Sequence, residues 1–326
     1  YKECTVLRVI NKVATTIYLL EGLLPEVQAE HKTPERLEMI FIYCLTWAFG
    51  GPMTIDKSGD MRKKFSEDFA SLFGQKYPKE GVCFDYFYDP VSDSHVHWQE
   101  KVSTYTPLLI GSRPDAPPFS KLNVDTVDTC RTRKLMDLLV KRGRYVMMVG
   151  TAGTGKTAQI SEYLKTLDKD ADSLLSVNVV MSYFTDSFQL QGEMELSIDK
   201  RAGRMFGPPA TKKLIYFIDD LNLPYIETYG TQNAIALITQ LMQHGTIFDR
   251  ADLGFRKEIV DTQYMTAMNP TAGSFEVCER CQRHFCTFSA SMPGTEDLNL
   301  IYGQIFAGHL LGWPAALVET GEQSVD

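Results

Sequence analysis

Gly150-Thr151-Ala152-Gly153-Thr154-Gly155-Lys156-Thr157 fits G-x-x-x-x-G-K-[ST] at every fixed position, and its flanks supply the context the pattern needs. Tyr145-Val146-Met147-Met148-Val149 before it reads as a short buried strand, and Ile160, Tyr163, Leu164 and Leu167 after it fall at helical spacing. Strand, glycine-rich loop and helix together make a phosphate-binding loop. Glycine lets the backbone wrap a phosphate with its N–H groups, and the helix start adds partial positive charge. In such a loop Lys156 reaches the β- and γ-phosphates and the Thr157 hydroxyl ligates Mg²⁺. A glycine-rich turn with a chance lysine is the bland alternative, and the flanks argue against it. The pattern implies binding of a nucleoside triphosphate.

Length and composition bound the rest. The chain has 326 residues, 44% of them hydrophobic and 23% charged, the mix of an ordinary globular protein of about two domains. A net charge of −8 and the lack of a long basic stripe argue against nucleic acid as a partner. The longest apolar stretch, Met39 to Phe49, is shorter than the roughly 18 residues of a membrane span, so no membrane is expected and a buried helix is. The chain starts at Tyr1 with no leader-like order, and it ends in a polar tail after Trp313-Pro314. Both ends read as cuts from a longer polypeptide. Seven scattered cysteines fit a reducing compartment. Cys278, Cys281, His284 and Cys286 have the types for zinc but lack a distant second ligand pair, so they read as incidental thiols.

Residues 1–75 are helical in pattern, with no strand alternation. Phe84 to Asp89, a turn at Asp89-Pro90, and His95 to Trp98 read as an aromatic hairpin. Residues 106–120, with four prolines, are the best linker. Beyond Val124 the chain alternates. Strands are expected near 145–149, 177–184, 214–218, 261–268 and 285–290, and helices near 128–142, 156–167, 187–200, 231–243 and 275–284. That alternation predicts a mainly parallel sheet covered on both faces. Thr246 to Ile259 holds two extended runs around Leu253-Gly254, a β-hairpin insert.

A phosphate loop needs an apolar strand ending in carboxylates beside Thr157. Leu214-Ile215-Tyr216-Phe217-Ile218-Asp219-Asp220 fits: Asp219 to hold Mg²⁺, and Asp220 to polarise the attacking water. Asn269 ends the next strand, where ligand crevices form in open α/β sheets, and could orient that water. A solvated acidic turn and an Asn-Pro turn are the plainer readings of the same residues. The company of the phosphate loop favours function.

Together these features resemble an AAA+ ATPase module. Ala202-Gly203-Arg204-Met205-Phe206-Gly207-Pro208-Pro209 and the run Lys212 to Pro224 resemble, more narrowly, the third AAA+ module of axonemal dynein heavy chains. So do Tyr229-Gly230, Phe248-Asp249-Arg250, Met268 to Phe275 and Gln282-Arg283-His284-Phe285. Phe84-Asp85-Tyr86, Asp89-Pro90 and Trp98 resemble the stretch leading in, and Trp47-Ala48-Phe49-Gly50-Gly51 the helical end of the preceding module. The resemblance implies four parts. Residues 1–78 would be a helical subdomain of the preceding module, and 79–122 a connector with hairpin and linker. Residues 123–294 would be the α/β nucleotide-binding subdomain, and 295–326 the start of a further helical subdomain.

Carried over by residue, the resemblance assigns Gly150 to Thr157 to ATP or ADP, with Thr157 and Asp219 on Mg²⁺. Asp220 and Asn269 take the water and sensor positions. Thr126 and Val127, in Asp125-Thr126-Val127-Asp128-Thr129, would lie along the adenine. Arg280 and Arg283 match positions near an arginine finger that acts on the preceding module. Many AAA+ hydrolases carry glutamate where this chain has Asp220; axonemal dyneins often carry this Asp-Asp pair, which puts brisk hydrolysis in doubt. The resemblance also implies neighbouring modules, intermediate and light chains and microtubules as partners, and a cytoplasmic, cytoskeletal place in the axoneme of a cilium or flagellum. A remodelling ATPase, with Tyr229-Gly230 as a weak pore-loop candidate, and a non-hydrolysing nucleotide scaffold stay open as alternatives.

Overall fold

The computed structural model describes residues 1–27, 33–57, 59–74, 76–89, 92, 94–106, 122–170, 174–210, 212–270 and 276–311. The proline-rich stretch expected as a linker falls almost wholly outside them, as does the tail after Trp313.

The first part is helical. Helix α1 (Val9–Leu23) packs on α2 (Pro34–Gly50), whose start is marked by Thr33, a cap accepting from the Arg36 N–H, and by Pro34 in the first turn. Two-residue strands β1 (Ile55–Asp56) and β2 (Gly59–Asp60) form a small antiparallel pair, a local exception to the all-helical reading. Asp60 then caps α3 (Met61–Phe73) by accepting from the Lys63 N–H at 2.9 Å. The aromatic hairpin is β3 (Tyr86–Asp89) against β4 (Ser94–His97). Phe84 sits in a 3₁₀ turn before it. Tyr86, Phe87 and Tyr88 are all buried rather than alternating, because Trp98, at 4.6 Å from the Phe87 ring, covers one face and the first helices the other.

Helix α4 (Val127–Val140) leads into the sheet, whose five strands are all parallel. In chain order they are β5 (Tyr145–Val149), β6 (Leu174–Val180), β9 (Lys213–Asp219), β12 (Thr262–Met268) and β13 (Phe285–Ser289), and they lie side by side as β13-β5-β12-β9-β6. Alternate residues feed two separate cores. Val146 and Met148 join Ile215, Phe217, Met265 and Phe288 on one face, under α1, α2, α4 and α5 (Lys156–Asp170). Met147 and Val149 join Leu214, Tyr216, Ile218 and Tyr264 on the other, under α6 (Ser187–Glu195) and α7 (Asn233–His244). Burial on both faces explains why these strands read as continuous apolar runs. Each fully buried Leu, Ile or Val contributes about 1.5–3 kcal/mol.

Three boundaries differ from expectation. Strand β6 runs earlier than the predicted 177–184, because Ser182 and Thr185 close a turn that leaves Tyr183 and Phe184 exposed. Helix α6 stops at Glu195 rather than 200. The chain instead makes a hairpin, β7 (Asp199–Ala202) and β8 (Met205–Gly207), turned by Gly203 at φ +57°. The insert expected at 246–259 is β10 (Thr246–Phe248) against β11 (Arg256–Ile259), and β11 also pairs with β8 to give a second, four-stranded sheet. Of the helix expected at 275–284, only α8 (Glu279–Gln282) forms within the described residues, and α9 (Thr295–Leu310) follows the last strand.

Candidate nucleotide site

Because the five strands are parallel, Val149, Asp219, Met268 and Ser289 share one rim, and the predicted site residues converge there. The phosphate loop leaves β5 held on both sides: the Gly150 N–H donates to the Met268 carbonyl at 3.2 Å, and the Ala290 N–H to the Val149 carbonyl at 2.8 Å. A Cβ on Gly150 would stand 2.2 Å from the Ala290 oxygen, so only glycine fits between β5 and β13. Gly153 and Gly155 adopt φ +84° and +79°, the left-handed region that favours glycine. Helix α5 then starts at Lys156 and aims its first N–H groups into the loop.

Lys156 is 9% exposed. Its Nζ donates to the Gly150 and Thr151 carbonyls at 2.8 Å each and to Thr154 Oγ1 at 3.3 Å. Burial lowers its pKa below the ordinary lysine value, while Asp219 and Asp220 pull it back up. Across the rim, Thr157 Oγ1 donates to Asp219 Oδ2 at 2.9 Å, which brings two hard oxygen ligands together. The other Asp219 oxygen accepts from the Asp220 N–H at 3.1 Å. Asp220 has φ +54°, and burial followed by the Asp219 charge pushes its pKa up while Lys156 opposes them.

The Leu221 N–H donates to the Ala267 carbonyl at 3.1 Å, and Asn222 Nδ2 to the Asn269 carbonyl at 2.7 Å. These two bonds fasten the Asp219-Asp220 turn to the end of β12, so Asn269 and Asp220 occupy neighbouring strand ends. Asn222 is 3% exposed. Sequence reasoning passed over it, although its place directly after the acidic pair was a usable signal.

Beside the loop lies a cleft of about 230 Å³. Thr126 and Gly153 to Gly155 line it, together with Ser289 and Tyr302. Thr126 also caps α4 reciprocally with Thr129. Val127 instead packs partly buried against the core beneath the cleft. Trp47 and Arg62 line the cleft from α2 and α3, and no local pattern in the sequence marked them.

Arg280 and Arg283 are exposed and lie elsewhere. They precede Phe285, which pairs with Tyr145 at the start of β5, so they sit at the opposite rim from the loop. The rise from Phe285 to Ser289 alone is roughly 13 Å. Arg280 borders a wider cleft of about 850 Å³ along α7, remote from the phosphate loop. Of the cysteines near it, Cys278 is exposed, whereas burial pushes Cys281 and Cys286 up to about 12.

Comparison with known proteins gives the geometry a family. A family model described as the P-loop-containing dynein motor region matches residues 112–293, and one described as the dynein heavy chain AAA lid domain matches residues 1–100. The chain is 41% identical over 312 residues to dynein axonemal heavy chain 17 of Homo sapiens, covering 95% of this chain and 7% of that one. It is 43% identical over 302 residues to the ciliary dynein beta chain of Heliocidaris crassispina, covering 92% and 6%. The flagellar outer arm dynein beta chain of Chlamydomonas reinhardtii is 32% identical over 330 residues, covering 100% and 7%. The chain therefore spans well under a tenth of these relatives. It belongs to the family of P-loop-containing dynein motor regions.

Proposed function

We propose that this chain is the ATP-binding, slowly hydrolysing, regulatory AAA+ module of an axonemal dynein heavy chain, with part of the preceding module at its N-terminus. The observation that carries the reading is the 2.9 Å bond between Thr157 Oγ1 and Asp219 Oδ2, formed beside the buried Lys156 ammonium. The donor set fits Mg²⁺-ATP: two hard oxygens, one cation and a loop that only glycine can build. Gly150 to Gly155 and Lys156 would hold the phosphates, Thr157 and Asp219 the Mg²⁺, and Thr126 the base side. Bound Mg²⁺ neutralises charge on the β- and γ-phosphates.

Asp220 is the general base of this reading, and Asn269, on the neighbouring strand end, orients the water. The raised pKa of Asp220 favours taking up a proton. Its side chain is one methylene shorter than glutamate, and misplacement by about an ångström can cost on the order of a hundredfold in rate. Hence slow turnover, and a site suited to timing. The same reading places the protein in the axoneme of a cilium or flagellum. Its partners there are neighbouring modules, intermediate and light chains, and microtubules reached through other parts of the polypeptide.

The test is made in the intact heavy chain. Lys156→Ala removes a charge-assisted phosphate contact worth about 1.5–3 kcal/mol, so ATP affinity at this site falls roughly 10- to 100-fold. Asp220→Asn keeps affinity, retains ATP instead of ADP and slows microtubule gliding. Equal affinity in Lys156→Ala sinks the nucleotide site. Retained ATP with unchanged gliding replaces regulation with a scaffold role.

A further inference from the structure

The cleft beside the phosphate loop is built by two segments of the chain. Trp47 of α2 and Arg62 of α3 line it together with Gly153, Gly155 and Phe288 of the α/β unit. Arg62 Nη2 donates to the Gly51 carbonyl at 3.2 Å and to the Ser289 carbonyl at 2.8 Å. One guanidinium thus joins the end of α2 to the end of β13, next to Ala290, which clasps the root of the loop.

These two side chains are sealed and under-satisfied. Trp47 is 2% exposed and Arg62 is 5% exposed. Trp47 Nε1 and Arg62 Nε are both buried donors with no acceptor. Arg62 lies over the Trp47 and Phe84 rings at 5.9 and 5.6 Å and makes no ion pair among the described residues. Its neighbour Arg131, over the same Trp47 ring at 5.9 Å, is paired with Asp128. Burial pulls the Arg62 pKa down to about 10, which still leaves it charged at neutral pH. Buried donors normally find acceptors. Two without one, from the same segment and on the same cleft, call for an acceptor brought by a ligand.

We propose that Trp47 and Arg62 form a base-reading subsite, in which donors from the N-terminal helices receive ring-nitrogen acceptors of the nucleotide whose phosphates rest on Gly150–Thr157. The inference rests on the nucleotide reading of that loop. A base suits the place better than a phosphate does. The loop N–H groups and Lys156 already serve the phosphates, while Phe288, Val124 and Ile301 give this cleft the apolar walls that accept a planar ring. Nucleotide then cross-links the two segments, and its binding strengthens the docking of α2 and α3 on the sheet.

The experiment measures ATP, 1-deaza-ATP, 3-deaza-ATP and 7-deaza-ATP affinities by calorimetry in the intact heavy chain, for wild type, Trp47→Phe, Arg62→Met, Arg62→Lys and Lys156→Ala. Trp47→Phe loses only an N–H, and its unliganded melting temperature reports whether the fold is kept. ATP affinity is expected to fall roughly 3- to 10-fold in Trp47→Phe and roughly 10- to 100-fold in Arg62→Met, with partial rescue in Arg62→Lys. At least one deaza analogue binds wild type more weakly than ATP, and that penalty disappears in Trp47→Phe or Arg62→Met. If wild type binds all four alike, or the variants lose affinity at a constant ATP-to-analogue ratio, the donors hold water or only pack, and the subsite is overturned. Should Arg62→Met fail to fold, Trp47→Phe decides. Loss of affinity in Lys156→Ala alone overturns the subsite and spares the nucleotide reading, whereas no loss in Lys156→Ala overturns the reading itself.

Discussion

Asp220 shows how backbone and charge meet in one residue. The left-handed region it occupies, at φ +54°, is tolerated by Asp and Asn far better than by longer side chains. The turn is needed there because the Leu221 N–H must reach the Ala267 carbonyl and the Leu223 N–H the Asp220 carbonyl. This gives a physical reason for aspartate where many relatives in function use glutamate. Its raised pKa also sets a sign. Between the unfolded value near 3.8 and the higher folded value, the native state holds more protons, so stability falls as pH rises through that window. At neutral pH the ionised carboxylate is a net cost. Asp220→Asn, neutral and at ease at positive φ, should therefore melt higher than wild type at pH 7, with the advantage shrinking as pH falls towards 4. Asp220→Glu should melt lower. Thermal unfolding without nucleotide checks both, and a lower melting temperature for Asp220→Asn at pH 7 would contradict the assigned cost. At this scale the sequence was most readable where chemistry demands fixed types at fixed spacing, as in Gly150 to Thr157. Arg62 was invisible because it reaches the cleft only through the packing of α3 on β13.

Elements were legible in proportion to their burial. The five core strands feed apolar residues to both faces, so their runs stood out, and α4, α5 and α7 carried helical spacing. Errors gathered where local and tertiary demands part. Tyr183 and Phe184 have strand-like character yet sit exposed beyond β6, and the polar hairpin β7–β8 exists because it has a partner in β11. That second sheet is fastened to α6 through Gln191, 3% exposed. Its Nε2 donates to the Phe248 carbonyl at 2.8 Å and to Glu195 at 2.7 Å, and its Oε1 accepts from Arg250 Nε at 2.7 Å. Gln191→Leu keeps the volume and strips both acceptor and donor, leaving the Phe248 carbonyl and Arg250 Nε unanswered. The expected loss is about 1–3 kcal/mol in urea unfolding. Amide exchange should quicken in β10 and β11 while β5 and β12 stay protected. Uniform loss of protection across all four strands would mean that Gln191 serves the main core instead of the insert.

For the whole molecule, polarity of the sheet decides which residues can serve which site. The parallel strands carry Lys156, Asp219, Asp220 and Asn269 to one rim and leave Arg280 and Arg283 at the other, beyond the start of β13. No side chain spans that depth, so these arginines cannot complete the chain's own phosphate site. Both are exposed, with Arg283 Nε set 3.5 Å from His284 and Arg280 bordering the cleft along α7. A cation held at a surface, off its own catalytic rim, is placed to meet phosphate on an adjacent module. The N-terminal helices make the arrangement continuous, since α1 and α2 share one hydrophobic core with the sheet and carry a neighbour's lid against it. In the intact heavy chain, Arg280→Ala with Arg283→Ala should leave ATP affinity at Lys156 within about twofold of wild type. Nucleotide affinity at the preceding module should fall roughly 10- to 100-fold, the value of a lost charge-assisted contact. Site-resolved nucleotide occupancy, with Lys156→Ala as the reference for loss at this site, separates the two. Weakening at Lys156 with the neighbour unchanged would require these arginines to act within their own module, against the direction in which every strand of the sheet runs.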